Sequence, residues 1–148
     1  MGSLAGVLPR DVVVIEEAVT TTNTAFERLG VLGLDADCFG HRGWALGWGM
    51  GVAIGAKLGW PQRPVLALIG DGGFMLNVGE LACAVQEKAN VLMLVMNDSR
   101  YGVIRNIQDD IYGGRHCYVD LVNQRQILAA IRAEKPVHAG NDPMLFAI

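Results

Sequence analysis

Several features are scarce in this chain, and each absence excludes a class of protein. Charged residues make up only 18% of the 148 residues, and the formal net charge is -3 with no cluster of lysine and arginine. A nucleic-acid surface needs such a cluster, so the composition argues against one. No apolar run reaches the roughly 18 residues of a membrane span, and the N-terminus is too weakly apolar for a secretory signal. We therefore expect a cytoplasmic protein that binds neither nucleic acid nor membrane.

Cysteine is scarce as well. The three residues Cys38, Cys83 and Cys117 are odd in number and widely spaced, which suits neither a disulfide framework nor a zinc site. We expect reduced thiols, as in cytosolic proteins. What the chain does have is 51% hydrophobic residues and 19 glycines, so it can bury a core and let backbones approach closely. Its length predicts a single domain over 1–148, with a flexible start at 1–9.

Apolar β-branched runs alternate with helical patterns along the chain. The buried strands are predicted at 11–16, 64–70, 91–97 and 143–148, and a loop or short strand at 31–43. The helices are predicted at 23–31, 44–60, 76–89, 103–111 and 124–135. Strands that alternate with helices predict an α/β fold, in which a parallel sheet carries helices on both faces.

Polar residues follow three of these strands. They are Thr20–Thr22, the segment Gly70–Gly73 with Asp71 inside it, and Asn97–Asp98. Ligands of parallel sheets bind at the carboxyl ends of the strands, and neighbouring strands lie about 5 Å apart, so two ends can share one ion. Asp71 could ligate Mg²⁺ while glycine amides hold a diphosphate. A plain Asp-Gly turn, and helix or turn capping, are the structural alternatives for these segments.

The order of these motifs resembles a known signature. Gly70-Asp71-Gly72, then 24 residues, then Asn97-Asp98 resembles the thiamine diphosphate signature of the acetolactate synthase, benzoylformate decarboxylase and benzaldehyde lyase family, in which GDG precedes Asn-Asn. Here Asp98 stands in place of the second asparagine. EEAVTTTN, GHRGWALGWGMGVAIGAKLG and NDSRYG resemble further segments of the same domain, in the same order. The match covers about residues 10–121 and resembles the C-terminal, diphosphate-binding domain.

The resemblance implies a thiamine diphosphate and Mg²⁺ site. The implied Mg²⁺ ligands are Asp71, the Asp98 side chain and the Arg100 carbonyl. The residues implied to contact thiamine diphosphate are Thr20, Trp44, Leu46, Gly70, Gly72, Gly73 and Tyr101. Among these, Leu46 matches the bulky residue that supports the bent cofactor, and the Trp44 carbonyl matches the acceptor of its amino group.

The resemblance also implies a reaction class: 2-oxo acid decarboxylation, or cleavage and formation of C–C bonds, as in lyases, decarboxylases and acetolactate synthases. The substrate would be a small 2-oxo acid or aldehyde. Family enzymes use a glutamate from a pyrimidine-binding domain of a neighbouring subunit, and 148 residues contain no such domain. We therefore assign no catalytic side chain here, and expect one domain or subunit of a larger, homo-oligomeric enzyme.

Two further functions stay open. Residues 122–148 form an atypical or shortened helix-strand ending for this family, which together with the absent glutamate favours a non-catalytic structural or regulatory subunit that keeps the fold. The other is a flavodoxin-like or Rossmann nucleotide binder. That option is weaker, because no G-x-G-x-x-G follows the first strand.

Overall fold

The computed structural model describes residue 4 and residues 6–20, 37–40, 45–121 and 144–147. Its strands are β1 (Val13–Glu16), β2 (Asp37–Gly40), β3 (Val65–Gly70), β4 (Val91–Met96) and β5 (Met144–Ala147). They form one sheet in the order β2-β1-β3-β4-β5, and every neighbouring pair is parallel. The predicted parallel α/β sheet is thus confirmed. The predicted helices at 23–31 and 124–135 lie outside the described residues.

The central strands are apolar because both of their faces are covered. Helices α1 (Trp48–Gly59), α2 (Asp71–Leu76) and α3 (Glu80–Gln86) supply core residues to one face, among them Met50, Phe74 and Ala84. On the other face Val12, Val14, Leu66 and Leu68 form a second cluster, against which Leu4 and Leu8 pack partly buried. Burial on both faces is the reason that parallel strands lack a polar alternation.

The N-terminal residues and the region after β3 differ from the sequence-based expectations. Leu4 and Leu8 make core contacts that a flexible start at 1–9 does not anticipate. The predicted helix at 76–89 is wrong in its bounds, because helix α2 already begins at Asp71 and a second helix, α3, ends at Gln86. The Asp-Gly turn considered as an alternative for this segment is therefore part of a helix. Phe74, fully buried in the core, fixes α2 despite the poor helix propensity of two glycines.

The register of the sheet brings three strand ends to one edge. Glu16 of β1 pairs with Leu68 of β3, and Gly70 of β3 pairs with Met96 of β4. Helix α4 (Gly102–Tyr112) follows β4 after a five-residue loop, and it is capped by Gly113, whose φ of 60° suits a helix C-terminus. The polar segments that follow β1, β3 and β4 therefore meet at this edge.

Two expectations about composition can be compared with the structure. Cys38, Cys83 and Cys117 are exposed and lie outside any disulfide in the structure. In the part of the chain that the structure describes, every helix is too short or too polar to cross a membrane.

Candidate functional site

Asp71 is the centre of the site. It is the first residue of α2 and only 2% exposed. Its Oδ1 accepts the Gly72 N–H at 2.9 Å, and its Oδ2 accepts the Ser99 N–H at 2.7 Å. Because Ser99 lies in the loop after β4, this carboxylate joins two neighbouring strand ends. Each carboxylate oxygen keeps a further lone pair that a cation can use.

The electrostatics around Asp71 favour a cation. Burial raises the pKa of the Asp71 carboxyl above its ordinary value; the Ser99 amide opposes this rise and the charge of Asp98 adds to it. A buried carboxylate next to a second carboxylate is costly unless a positive charge compensates it. A divalent cation would supply that charge and hold both groups ionised.

The loop after β4, which we call the β4–α4 loop (Asn97–Tyr101), carries the other predicted ligands. Asp98 Oδ1 accepts the Arg100 N–H at 3.2 Å, and its side chain is 56% exposed. The Arg100 carbonyl accepts the Gly102 N–H at 3.1 Å. Asn97 Oδ1 accepts the Ser99 N–H at 3.0 Å. These short-range hydrogen bonds fix the loop, and the Asp98 carboxylate stays largely exposed, with its Oδ2 at 3.9 Å from Arg100 Nε.

Two glycines mark close approaches at this edge. A Cβ on Gly72 would lie 2.7 Å from the ring of Tyr101, so Tyr101 stacks directly on the start of α2. A Cβ on Gly102 would lie 3.1 Å from Asp98 Oδ2 and 3.4 Å from Thr20 Cγ2. Thr20 and Asp98 therefore surround the same glycine, although they follow different strands.

The residue after Leu46 is held by a cluster of side chains that sequence patterns did not predict. Leu46 is 40% exposed and precedes Gly47. The Gly47 N–H donates to Glu17 Oε1, and the Gly47 carbonyl accepts from Asn77 Nδ2. Glu17 is only 1% exposed. The available signal was a pair of adjacent glutamates, Glu16 and Glu17, at the end of a buried strand, where acidic residues are rare.

The structure thus brings most of the predicted site residues to one edge of the sheet. Asp71, Asp98, Arg100 and Tyr101 lie on the segments after β3 and β4 described above, and Thr20 adjoins them. Gly70 and Gly73 flank this group at the start of α2. Trp44 lies outside the described residues.

The donor set fits Mg²⁺. Among the residues that the structure describes, no three His, Cys, Asp or Glu side chains converge, so a cation would need other oxygen ligands as well. Mg²⁺ is typically bound by one or two carboxylates, with phosphate oxygens and water completing its octahedron. Asp71 and Asp98, with a carbonyl such as that of Arg100, match this pattern.

Comparison with known proteins identifies the fold family. The model of the C-terminal TPP binding domain of thiamine pyrophosphate enzymes matches residues 39–138. The chain belongs to this family. It is a thiamine diphosphate-binding domain of the type found in thiamine diphosphate-dependent enzymes, as the sequence resemblance implied. The matched range contains Asp71, Asp98, Arg100 and Tyr101, and begins after Thr20.

Individual relatives support the same assignment. The chain is 37% identical over 71 residues to acetolactate synthase isozyme 3 large subunit of Escherichia coli, covering 48% of this chain and 12% of that protein. It is 48% identical over 69 residues to a probable 2-ketoarginine decarboxylase of Pseudomonas aeruginosa, and the match covers 46% of this chain and 12% of that protein. Benzoylformate decarboxylase of the same organism is 29% identical over 97 residues, covering 66% and 18%. The chain therefore spans less than a fifth of the length of these relatives.

A solved structure confirms the fold. The thiamine diphosphate-dependent 4-hydroxybenzoylformate decarboxylase of Rhodococcus jostii RHA1 superposes with a TM-score of 0.75 at 22% identity, covering 98% of this chain and 31% of that one. This likeness concerns the fold of the chain.

Proposed function

We propose that this thiamine diphosphate-binding domain holds its cofactor through Mg²⁺ and supports 2-oxo acid decarboxylation or C–C bond cleavage and formation. In this proposal it acts as one domain or subunit of a larger, homo-oligomeric enzyme that also contains a pyrimidine-binding domain. The observation that carries the metal assignment is the Asp71 carboxylate, which is buried, raised in pKa and hydrogen-bonded across two strand ends.

Each residue of the site has a separate task in this proposal. Asp71 and Asp98 hold Mg²⁺ together with the Arg100 carbonyl. The backbone at Gly72 and Gly73 is assigned to the diphosphate, with the Gly72 N–H shared between Asp71 Oδ1 and a phosphate oxygen. Thr20 offers a hydroxyl to the same phosphates, and Tyr101 closes the site above Gly72. Leu46 supports the organic part of the cofactor.

The cofactor, when bound, supplies the electron sink that accepts the electron pair left by loss of CO₂ or by C–C cleavage. The chain itself supplies binding and orientation. The buried Asp71 and the apolar Leu46 side chain restrict how the cofactor can lie, which is the contribution expected of a scaffold domain. A proton-transferring glutamate would come from the pyrimidine-binding domain.

Metal-dependent binding tests the proposal. Isothermal titration of the chain with thiamine diphosphate should show binding with Mg²⁺ and loss of binding when EDTA removes it. We expect Asp71→Ala to weaken binding by on the order of 100-fold, because a charged ligand is lost. Asp110→Ala, an exposed aspartate on α4, is the matched control and should bind normally. Equal binding with and without Mg²⁺ in a folded wild-type sample would refute the metal assignment.

Reconstitution tests the reaction class. The chain would be mixed with a pyrimidine-binding partner, and CO₂ release from a panel of small 2-oxo acids measured in the presence of cofactor and Mg²⁺. Turnover that disappears with Asp71→Ala supports the enzymatic role. Cofactor binding without turnover on any 2-oxo acid or aldehyde would favour the structural or regulatory alternative.

A further inference from the structure

Glu17 is a buried acidic residue that the proposed site does not use. It directly follows β1, is 1% exposed, and its backbone N–H donates to the Leu68 carbonyl of β3 at 2.8 Å. The residue is thus tied to the sheet through its main chain. A buried carboxylate is costly unless hydrogen bonds satisfy it, so its side-chain contacts indicate what the charge is for.

The carboxylate of Glu17 binds the beginning of helix α1. Its Oε1 accepts the N–H of Gly47, which caps α1, and its Oε2 accepts the N–H of Gly49 in the first turn. Helix α1 has no acidic residue in its first turn and no side-chain cap from Gly47. Glu17 supplies both from a distant strand, since a negative charge at a helix N-terminus satisfies free amides and interacts favourably with the helix dipole.

The same carboxylate also lies against Gly73, near the start of α2. A Cβ on Gly73 would overlap Glu17 Oε1 and lie 3.1 Å from its Cδ, and a Cβ on Gly49 would lie 2.6 Å from Oε2. One side chain therefore fills the space between the start of α1 and the start of α2. Gly47, with a φ of 88°, connects Leu46 to α1. The side-chain amide of Asn77, at the end of α2, donates a hydrogen bond to the Gly47 carbonyl.

We propose that Glu17 is a positioning residue that sets the distance between Leu46 and the diphosphate-binding start of α2. This inference rests on the proposed function, because it assigns the organic part of the cofactor to Leu46 and the diphosphate to Gly72 and Gly73. Glu17 acts through Gly47 and Gly73 and does not touch the cofactor. Its effect should therefore depend on whether the ligand spans both ends of the site.

Two ligands separate this role from a purely structural one. Thiamine diphosphate needs both Leu46 and the diphosphate site, whereas inorganic diphosphate needs only the second. Glu17→Gln keeps the volume beside Gly73 but places an NH₂ group against the N–H of Gly47 or Gly49, so the Leu46 segment should shift. With Mg²⁺ present in both titrations, we expect thiamine diphosphate to bind about tenfold more weakly and inorganic diphosphate to change by less than about threefold.

A matched control and a second variant complete the experiment. Glu87→Gln changes an exposed glutamate and should leave both affinities unchanged. Asn77→Ala removes the donor to the Gly47 carbonyl from an exposed position, so it should fold even if Glu17→Gln does not. We expect this variant to bind thiamine diphosphate about threefold more weakly, again with little change in the affinity for inorganic diphosphate.

A double-mutant cycle tests the route through Leu46. In a Leu46→Ala background, Glu17→Gln should produce little further change in the ratio of the two affinities, because the residue it positions is already absent. The inference would be overturned if Glu17→Gln weakened the binding of both ligands equally or of neither, or if its effect on the affinity ratio added fully to that of Leu46→Ala. Failure of the wild-type chain to bind thiamine diphosphate with Mg²⁺ would instead overturn the proposed function on which the inference rests.

Discussion

The segment at the end of β3 and the segment after β4 each carry an aspartate as their second residue, but they are built in opposite ways. The β3–α2 junction (Gly70–Gly73) contains three glycines, and none of them has a positive φ. The β4–α4 loop contains no glycine, and its Ser99 adopts a φ of 59°. The aspartates differ in the same way, since Asp71 is buried and the Asp98 side chain is 56% exposed.

This difference shows that the glycines of the β3–α2 junction provide space rather than conformational freedom. Two of them lie against other side chains, Gly72 against Tyr101 and Gly73 against Glu17, while Gly70 has no atom within 4 Å of an added Cβ. Glycine is required for steric reasons only where a neighbouring side chain occupies the position of the missing Cβ. The three positions should therefore tolerate alanine very differently.

The largest effect is expected from Gly73→Ala. Its new methyl group would overlap the buried Glu17 carboxylate, which is fixed by two amides, so we expect a loss of about 2–3 kcal/mol in the free energy of unfolding, measured by urea denaturation. The better helix propensity of alanine offsets only part of this loss. Gly70→Ala is the matched control and should lie within about 0.5 kcal/mol of wild type. Equal destabilisation by both variants would contradict the space argument.

The next effect compares the two aspartates as metal ligands. Asp71→Asn keeps one oxygen but removes a buried charge, so Mg²⁺-dependent thiamine diphosphate binding should weaken on the order of 30-fold, about 2 kcal/mol. Asp98→Asn removes an exposed charge that solvent already screens, and should change the affinity by less than about threefold. Both affinities come from the same calorimetric titration. A larger loss at Asp98 than at Asp71 would mean that the exposed carboxylate is the main ligand.

Sequence patterns predicted the sheet well, because its signal is local. Continuous apolar runs gave β1, β3 and β4 to within a few residues, and their alternation with helices predicted the parallel arrangement. The spacing of Asp71 and Asp98, together with the family resemblance, also located the edge at which the polar segments meet.

Features that depend on distant contacts were not predicted from sequence. The start of α2 at Asp71 was missed because two glycines oppose a helix and only burial of Phe74 reverses that preference. The role of Glu17 was missed because its partners, Gly47 and Gly49, lie 30 and 32 residues further along the chain. No local pattern shows that a glutamate caps a helix so far away.

The smallest predicted effect concerns backbone strain in the β4–α4 loop. Ser99 has a left-handed φ of 59°, a conformation that costs a non-glycine residue energy. Ser99→Gly removes this cost and keeps the N–H that donates to Asp71, although it loses the hydroxyl contact with Asn97 and adds flexibility to the unfolded chain. We expect the free energy of unfolding, measured by urea denaturation, to rise by about 0.5 kcal/mol. Ser99→Ala loses the same hydroxyl and keeps the strain, so a loss in Ser99→Gly equal to that in Ser99→Ala would show that the hydroxyl, and not the backbone, determines the stability of this loop.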